Sequence, residues 1–180
     1  KCGATGIAST GYYMPKLMEE VLGSKFDIVS GYVSGQDIDL AVERGELQCR
    51  AFTITAYHAR EPFTTWRKKK FTNILIQTGT KRDPRLKESP TIYELMDRYK
   101  VGEAGRSLTK VILASGDFGR PLVFAPGVPA DRVKILRDAF DKTVTEGAFL
   151  AEAERRRLEI VPCQWDEMES LAKEVMATPA

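Results

Sequence analysis

The chain has 180 residues, of which 43% are hydrophobic and 29% charged, and this composition excludes a wholly disordered protein. Its 27 basic and 25 acidic side chains leave a net charge of +2, too small to favour nucleic acid or a membrane surface as a partner. No apolar run approaches the roughly 18 residues of a membrane span. The sequence predicts a globular protein of one domain, or of one domain and part of another.

The first predicted element is a strand end that runs into a loop of small residues. Residues 3–11 are mostly glycine, alanine, serine and threonine, and they lead into a helix predicted over residues 12–22, where apolar side chains recur at helical spacing. Pro15 is expected in the first turn of that helix, where its missing N–H costs little. Gly23 is expected to end the helix, since glycine is the usual left-handed terminator.

The same order of strand, small-residue loop and helix is predicted a second time. Residues 26–29 form a short apolar run that predicts a buried strand, and Ser34 and Gly35 predict a tight turn after it. A helix is expected to begin near Gln36 and to end at Gly45, because apolar residues recur at helical spacing between them.

Two such junctions on one edge of a parallel sheet predict an anion site. A strand that runs through a small-residue loop into a helix presents free backbone N–H groups and the positive end of the helix dipole. Ligands of open α/β sheets bind in the crevice at this edge. The alternative is that both loops are ordinary connections, since turns rich in glycine and serine are common in α/β folds.

Strands and helices alternate along the rest of the chain, which predicts a parallel α/β sheet followed by a mostly helical end. The further predicted elements are strands at 49–55, 71–77, 120–125 and 159–162, and helices at 91–99, 103–114, 130–145, 148–158 and 165–177.

The three cysteines, Cys2, Cys49 and Cys163, have a spacing that matches no metal motif. Their odd number favours three partly buried free thiols, because free cysteine packs as a small hydrophobic residue. The alternative is a single disulfide between Cys2 and Cys49.

No combination of residues predicts catalysis. His58 is the single histidine, and no serine lies in a G-x-S-x-G context, so the sequence offers no activated nucleophile, no zinc ligand set and no phosphate loop. We therefore expect no enzymatic activity, no cofactor and no metal. The basic run 67–70 beside Trp66 is interpreted as a solvated helix end rather than a nucleic-acid site.

Several short motifs occur in a specific order over essentially the whole chain. They are Gly3-Ala-Thr-Gly6 with Ser9-Thr10, Gly31-Tyr-x-x-Gly35 with Asp39-Leu-Ala41 and Gly45-Glu46, Gly119-Arg-Pro-x-x-x-x-Pro126-Gly-Val-Pro-Ala-Asp-Arg-Val133, Ala139-Phe140, and Phe149-Leu150-x-x-Ala153. In this order they resemble the solute receptors of tripartite tricarboxylate transporters, often called Bug-type receptors.

The resemblance implies the type II periplasmic binding protein fold, in which two α/β lobes close around a small carboxylate. Residues 1–118 would be the second lobe, a parallel-dominated sheet flanked by helices, and residues 119–180 a helix-rich return segment of the first lobe. The N-terminal segment of the first lobe would lie upstream, so we expect the chain to be a fragment or a processed product. The location implied is periplasmic, and the partners implied are the carboxylate and the membrane permease subunits of the transporter.

The resemblance also implies two ligand loops. Backbone N–H groups and hydroxyls at a helix start hold a carboxylate by charge-assisted hydrogen bonds. Because a carboxylate beside an anion site repels the ligand, Asp37 is expected to cap its helix or to accept a bond from a ligand hydroxyl or ammonium. The residues of the first loop are Ala4, Thr5, Gly6, Ser9 and Thr10, and those of the second are Tyr32, Ser34, Gly35, Gln36 and Asp37.

The function expected is therefore that of an extracytoplasmic receptor for a small carboxylate, with no nucleic-acid partner. The alternative is the effector-binding domain of a transcription regulator, and an enzyme on the same fold is the third possibility. The C-terminal helices are expected to expose an apolar surface that docks on the second lobe or on another chain. The side chains expected on that surface are Val133, Leu136, Phe140, Leu171 and Val175.

Overall fold

The computed structural model describes residues 1–156 and 158–177, and within these it is a mixed α/β protein. The coarse fold class predicted from the sequence is confirmed. The chain divides into two compact units, one at Lys1–Thr109 and one that begins at Lys110. This division falls inside a helix, whereas the lobe boundary implied by the resemblance follows residue 118. The lobe assignment stays a prediction, and residues 157 and 178–180 of the return segment lie outside the described residues.

The first unit contains a three-stranded parallel sheet. Its strands are β1 (Cys2–Ala4), β2 (Ile28–Ser30) and β3 (Cys49–Arg50), in the order β2-β1-β3. The central strand β1 pairs with both neighbours in parallel register, which confirms the predicted orientation. All three carboxyl ends therefore lie on one edge of the sheet.

Helices follow each of these strands. The helices that begin in the first unit are α1 (Thr10–Leu22), α2 (Gly35–Glu43), α3 (Ile54–Ala59), α4 (Phe63–Lys68), α5 (Ile92–Arg98) and α6 (Glu103–Asp117).

Helices α1 and α2 cover opposite faces of the sheet, and two glycines allow them to approach it. A Cβ atom at Gly3 would lie 2.7 Å from Cγ2 of Ile38 in α2. A Cβ atom at Gly11 of α1 would lie 2.6 Å from the carbonyl oxygen of Gly3 and 3.4 Å from the Cβ of Ala4. Because neighbouring residues of a strand face opposite sides of a sheet, these contacts place α2 on the Gly3 side and α1 on the Ala4 side.

A hydrophobic cluster fills the α2 side of the sheet. It joins α2 to α3 and α4, and the indole Nε1 of Trp66 within it donates to Oε1 of Glu43 at 2.8 Å. The buried members are Ile38, Ala41, Val42, Leu47, Tyr57, Phe63 and Trp66.

The expected set of three free thiols is wrong for Cys2 and Cys49, which form a disulfide with a Cα–Cα distance of 4.5 Å. Strand pairing explains the bond, because Cys2 of β1 lies directly opposite Cys49 of β3. The two residues are 47 positions apart in sequence, so only the pairing of the strands reveals their proximity. Cys163 is free.

Four predicted strands are shortened or absent. The segment predicted at 49–55 pairs only over β3, because Thr53 caps α3 by accepting a hydrogen bond from the N–H of Ala56. The segment 71–77 has no strand ladder, and Gln77 forms one isolated bridge with Thr91. The segments 120–125 and 159–162 also lack strand pairing. Alternating apolar residues favour an extended backbone, but a strand also needs a neighbour with which to pair.

Most predicted helices are confirmed, with small shifts at their ends. Helix α1 begins at Thr10, two residues earlier than expected, so Pro15 lies in its second turn and the first-turn prediction is wrong. Gly23 ends α1 in a left-handed conformation, as predicted. In the second unit α7 (Ala130–Thr145) matches its prediction, and the last two helices are α8 (Gly147–Arg155) and α9 (Trp165–Met176).

The helices of the second unit cover little apolar surface within the part of the chain that the structure describes. No residue of α7 or α9 is buried, and Ala153 is the buried residue of α8. Leu136 of α7 is 52% exposed. Among the five side chains expected on the apolar surface, Val133, Phe140, Leu171 and Val175 are half-buried.

Candidate functional site

The carboxyl ends of β1 and β2 form the candidate site. These strands are neighbours in the sheet, and the helices that follow them leave to opposite faces. In open α/β sheets a crevice opens at the point where the strand order reverses, and ligands bind there. In the order β2-β1-β3 this switch point lies between β1 and β3, so the first loop, which follows β1, borders it. The second loop follows β2 and lies beside the first loop.

The two loops are joined at Ala4. The carbonyl of Ala4 accepts hydrogen bonds from the N–H of Gly31 at 3.1 Å and from the N–H of Tyr32 at 3.4 Å. Gly31 has φ +103°, a conformation that L side chains rarely adopt, so glycine is required for this turn. The structure thus brings the first and second predicted ligand loops together, while their role in binding stays a prediction.

The first loop leaves the start of α1 uncapped by its own side chains. Ser9 is the N-cap residue, but its hydroxyl donates to the carbonyl of Gly6 at 2.7 Å and does not accept from the helix. The hydroxyl of Thr10 lies 3.3 Å from that of Tyr13, and the side chain of Thr5 is exposed. No acidic residue lies in the first turn of α1. The N–H of Tyr12 donates to the carbonyl of Ser9 at 2.9 Å, so the N–H groups of Thr10 and Gly11 are the ones that keep their capacity to bind an external anion.

The second loop is capped by the chain itself. The carboxylate of Asp37 accepts from the N–H of Ser34 at 2.9 Å and from its hydroxyl at 2.8 Å. The hydroxyl of Ser34 in turn accepts from the N–H of Asp37 at 3.3 Å. This is a capping box, and it places a negative charge at the positive end of α2. Of the two alternatives for Asp37, the structure shows the helix cap.

The other members of the second loop are divided between surface and core. Gln36 is exposed, and Tyr32 is half-buried and packs against the hydrophobic cluster. The carbonyl of Gly35 accepts from Nη1 of Arg50 at 2.7 Å. Only part of the second loop thus faces the crevice with free polar groups.

A buried ion pair lies beneath the start of α2. Arg50, at the carboxyl end of β3, also donates through Nη1 to the carboxylate of Asp39, and the side chains are 13% and 9% exposed. Burial raises the pKa of Asp39, and Arg50 opposes this rise. Phe52 and Phe63 flank the guanidinium, each with its ring centroid 5.5 Å from Cζ. The pair holds the end of β3 against the first turns of α2.

Sequence reasoning missed Arg50. Asp39, of the Asp39-Leu-Ala41 motif, is buried in the structure. A buried carboxylate requires a cationic or hydrogen-bonding partner, and the motif did not indicate which residue supplies it. Arg50 was the available signal, since it stands in a predicted strand between apolar neighbours.

In residues 1–156 and 158–177, no group of three or more His, Cys, Asp or Glu side chains is placed to hold a metal ion. None of the described helices is both long enough and apolar enough to cross a membrane.

Comparisons of this chain with models of protein families, with curated proteins and with solved structures returned no match. The assignment of function therefore depends on the sequence motifs and on the geometry of the site.

Proposed function

We propose that this protein is an extracytoplasmic receptor that captures a small carboxylate for a tripartite tricarboxylate-type transporter. The observation that carries the proposal is the free start of α1, which follows the carboxyl end of β1 beside the switch point of the sheet and has neither a side-chain cap nor an acidic residue. A carboxylate placed there accepts hydrogen bonds from the first-turn N–H groups and is favoured by the helix dipole.

The first loop supplies the main contacts in this proposal. The backbone N–H groups of Thr10 and Gly11 open α1, and the exposed hydroxyl of Thr5 lies at the carboxyl end of β1. The second loop forms the opposite rim, with Tyr32 and Gln36 as its available side chains. Because Asp37 already neutralises the start of α2, the structure supports one strong carboxylate subsite rather than two.

The disulfide supports an extracytoplasmic location. Disulfides form and persist in the periplasm and outside the cell, whereas the cytosol keeps most thiols reduced. The bond between Cys2 and Cys49 ties two strands of the sheet that carries the site. The alternative, an effector-binding domain of a transcription regulator, acts in a reducing compartment and is disfavoured by the same bond.

The type II periplasmic binding protein fold and the two-lobe assignment are part of this proposal. The proposal also includes the absence of catalysis, the permease subunits as partners, and self-association through the C-terminal helices. The exposed apolar residues of α7 support the last point, and light scattering measures it directly.

Isothermal titration calorimetry on the full gene product tests the function. The panel contains small mono-, di- and tricarboxylates and acidic amino acids, with uncharged amides of the same size as controls. We expect saturable heat from a carboxylate and none from its amide. Binding of the amide with equal affinity, or of no carboxylate in the panel, contradicts the proposal.

A further inference from the structure

A surface that is both basic and apolar lies at the C-terminal end of α4. We name it the α4 surface. It does not include any residue of the two ligand loops, and it is composed of Lys68, Lys69, Lys70, Phe71 and Leu75.

The positive charge of the α4 surface is not compensated by ion pairs. All three lysines are exposed, and within the described residues none of them takes part in a salt bridge. Glu61 is the carboxylate on which Lys68 acts, but the effect is small. The pKa of Glu61 is lowered mainly by hydrogen bonds from Thr64 and Thr65, and Lys68 adds a smaller contribution. The chain's net charge of +2 therefore conceals a local concentration of cations.

The backbone holds these lysines in one fixed turn. The N–H of Phe71 donates to the carbonyl of Trp66 at 2.9 Å, and the N–H of Lys70 donates to the carbonyl of Arg67 at 3.1 Å. This is the hydrogen-bond pattern of a Schellman motif. The apolar contact that usually accompanies the motif is made by Trp66 and Phe71, whose ring centroids are 5.3 Å apart. Lys70 occupies the left-handed position with φ +50°, where glycine is the usual residue. The chain thus keeps a charge at a position where glycine fits better.

Two exposed apolar side chains follow the lysines in the chain. Residues 71–76 alternate between exposed and half-buried, so Phe71 and Leu75 share the outward side of an extended segment. Phe71 is 49% exposed and Leu75 is 67% exposed. Ile74, on the inward side, packs against the hydrophobic cluster and anchors the segment.

We propose that the α4 surface binds an anionic lipid bilayer. Clustered lysines are attracted by anionic headgroups, and exposed aromatic and aliphatic side chains beside them enter the boundary between headgroups and acyl chains. Leu75 favours a bilayer over nucleic acid, since an aliphatic side chain has no π face on which a base can stack. The small net charge excluded long-range attraction by the whole protein, but headgroup binding depends on local charge within a Debye length.

Vesicle sedimentation tests this proposal. The probes are vesicles of phosphatidylglycerol mixed with phosphatidylcholine, and vesicles of phosphatidylcholine alone. The patch variant is Lys68→Gln/Lys69→Gln/Lys70→Gly, in which glycine keeps the left-handed turn. The matched control is Lys1→Gln/Lys25→Gln/Lys100→Gln, which removes the same charge from exposed positions outside the α4 surface. Circular dichroism establishes that both variants fold.

We expect the protein to pellet with the anionic vesicles and to be released by salt. Each lysine contributes about fivefold to partitioning, so the patch variant loses about a hundredfold and the control variant much less. Leu75→Gln, which leaves the charge unchanged, loses about tenfold. Equal losses for the patch and control variants, or equal pelleting with phosphatidylcholine alone, overturn the proposal. Retention on duplex DNA or on an acidic polypeptide without vesicle binding also overturns it.

Discussion

Arg50 donates a hydrogen bond to the carboxylate of Asp39, and the pair ties the end of β3 to the first turns of α2. Both side chains are largely buried, so neither charge is well solvated when its partner is removed. The same guanidinium group donates to the carbonyl of Gly35. The position of the second ligand loop therefore depends on an electrostatic contact within the core.

We expect Arg50→Leu to lower the free energy of unfolding by about 3–5 kcal/mol, because it leaves the carboxylate of Asp39 buried without a partner. Urea unfolding followed by circular dichroism measures this change. Arg82→Leu is the matched control, since its ion pair with Glu94 is exposed to solvent and contributes little to stability. Equal losses in the two variants show that the buried pair has no special role.

The loss caused by Arg50→Leu should also depend on pH. Burial raises the pKa of Asp39 above its unfolded value, and removing Arg50 removes the charge that opposes this rise. A carboxyl group with a raised folded pKa stabilises the fold below its unfolded pKa, and this contribution is lost as pH rises through the folded value. The deficit of the variant should therefore shrink on acidification from neutral pH, and a deficit that grows on acidification contradicts the assignment.

Features that depend on residues close together in the sequence were predictable from the sequence alone. Ser34 and Asp37 stand three positions apart, the spacing of a helix cap, and the apolar spacing of residues 130–145 gave α7 with its correct bounds. The pairing of Cys2 with Cys49 could not be predicted, because it depends on which strands become neighbours. For the same reason the sequence could not show that the segment 71–77 lacks a strand partner.

The two candidate ligand loops show the same limit. Glycine and serine patterns located both helix starts, but they could not distinguish a free start from a capped one. Ser9 and Ser34 occupy equivalent N-cap positions, yet the first bonds to Gly6 and the second to Asp37. Side-chain hydrogen bonds decide which start remains available to a ligand.

Gly11→Ala should destabilise the first unit by about 1–3 kcal/mol. Its added Cβ would lie 2.6 Å from the carbonyl oxygen of Gly3, so α1 must move away from β1. Gly116→Ala, within α6, is the control, since its Cβ meets no atom within 4 Å and alanine favours a helix. Urea unfolding distinguishes them, and an equal effect of the two substitutions contradicts the close approach of α1.

Cys2→Ala/Cys49→Ala should lower the free energy of unfolding by about 4 kcal/mol, because the bond closes a loop between residues 47 positions apart. A reducing agent should have a similar effect on the unaltered protein and none on the double variant. Cys163→Ala, which removes the free thiol, is the control and should change stability little. Alkylation of the unfolded, unreduced protein followed by mass spectrometry should modify one thiol, and modification of three contradicts the disulfide.

Ser9→Asp should weaken carboxylate binding strongly while it preserves the fold. Aspartate is a favoured N-cap residue, and its carboxylate would accept from the first-turn N–H groups of α1 that we assign to the ligand. Thermal unfolding should therefore show equal or greater stability, whereas calorimetry should show at least a tenfold loss of affinity. Gln36→Glu adds the same charge at the start of α2, which Asp37 already caps, and should weaken binding less. If Gln36→Glu abolishes binding and Ser9→Asp does not, the ligand lies at α2 and the assignment to α1 is wrong.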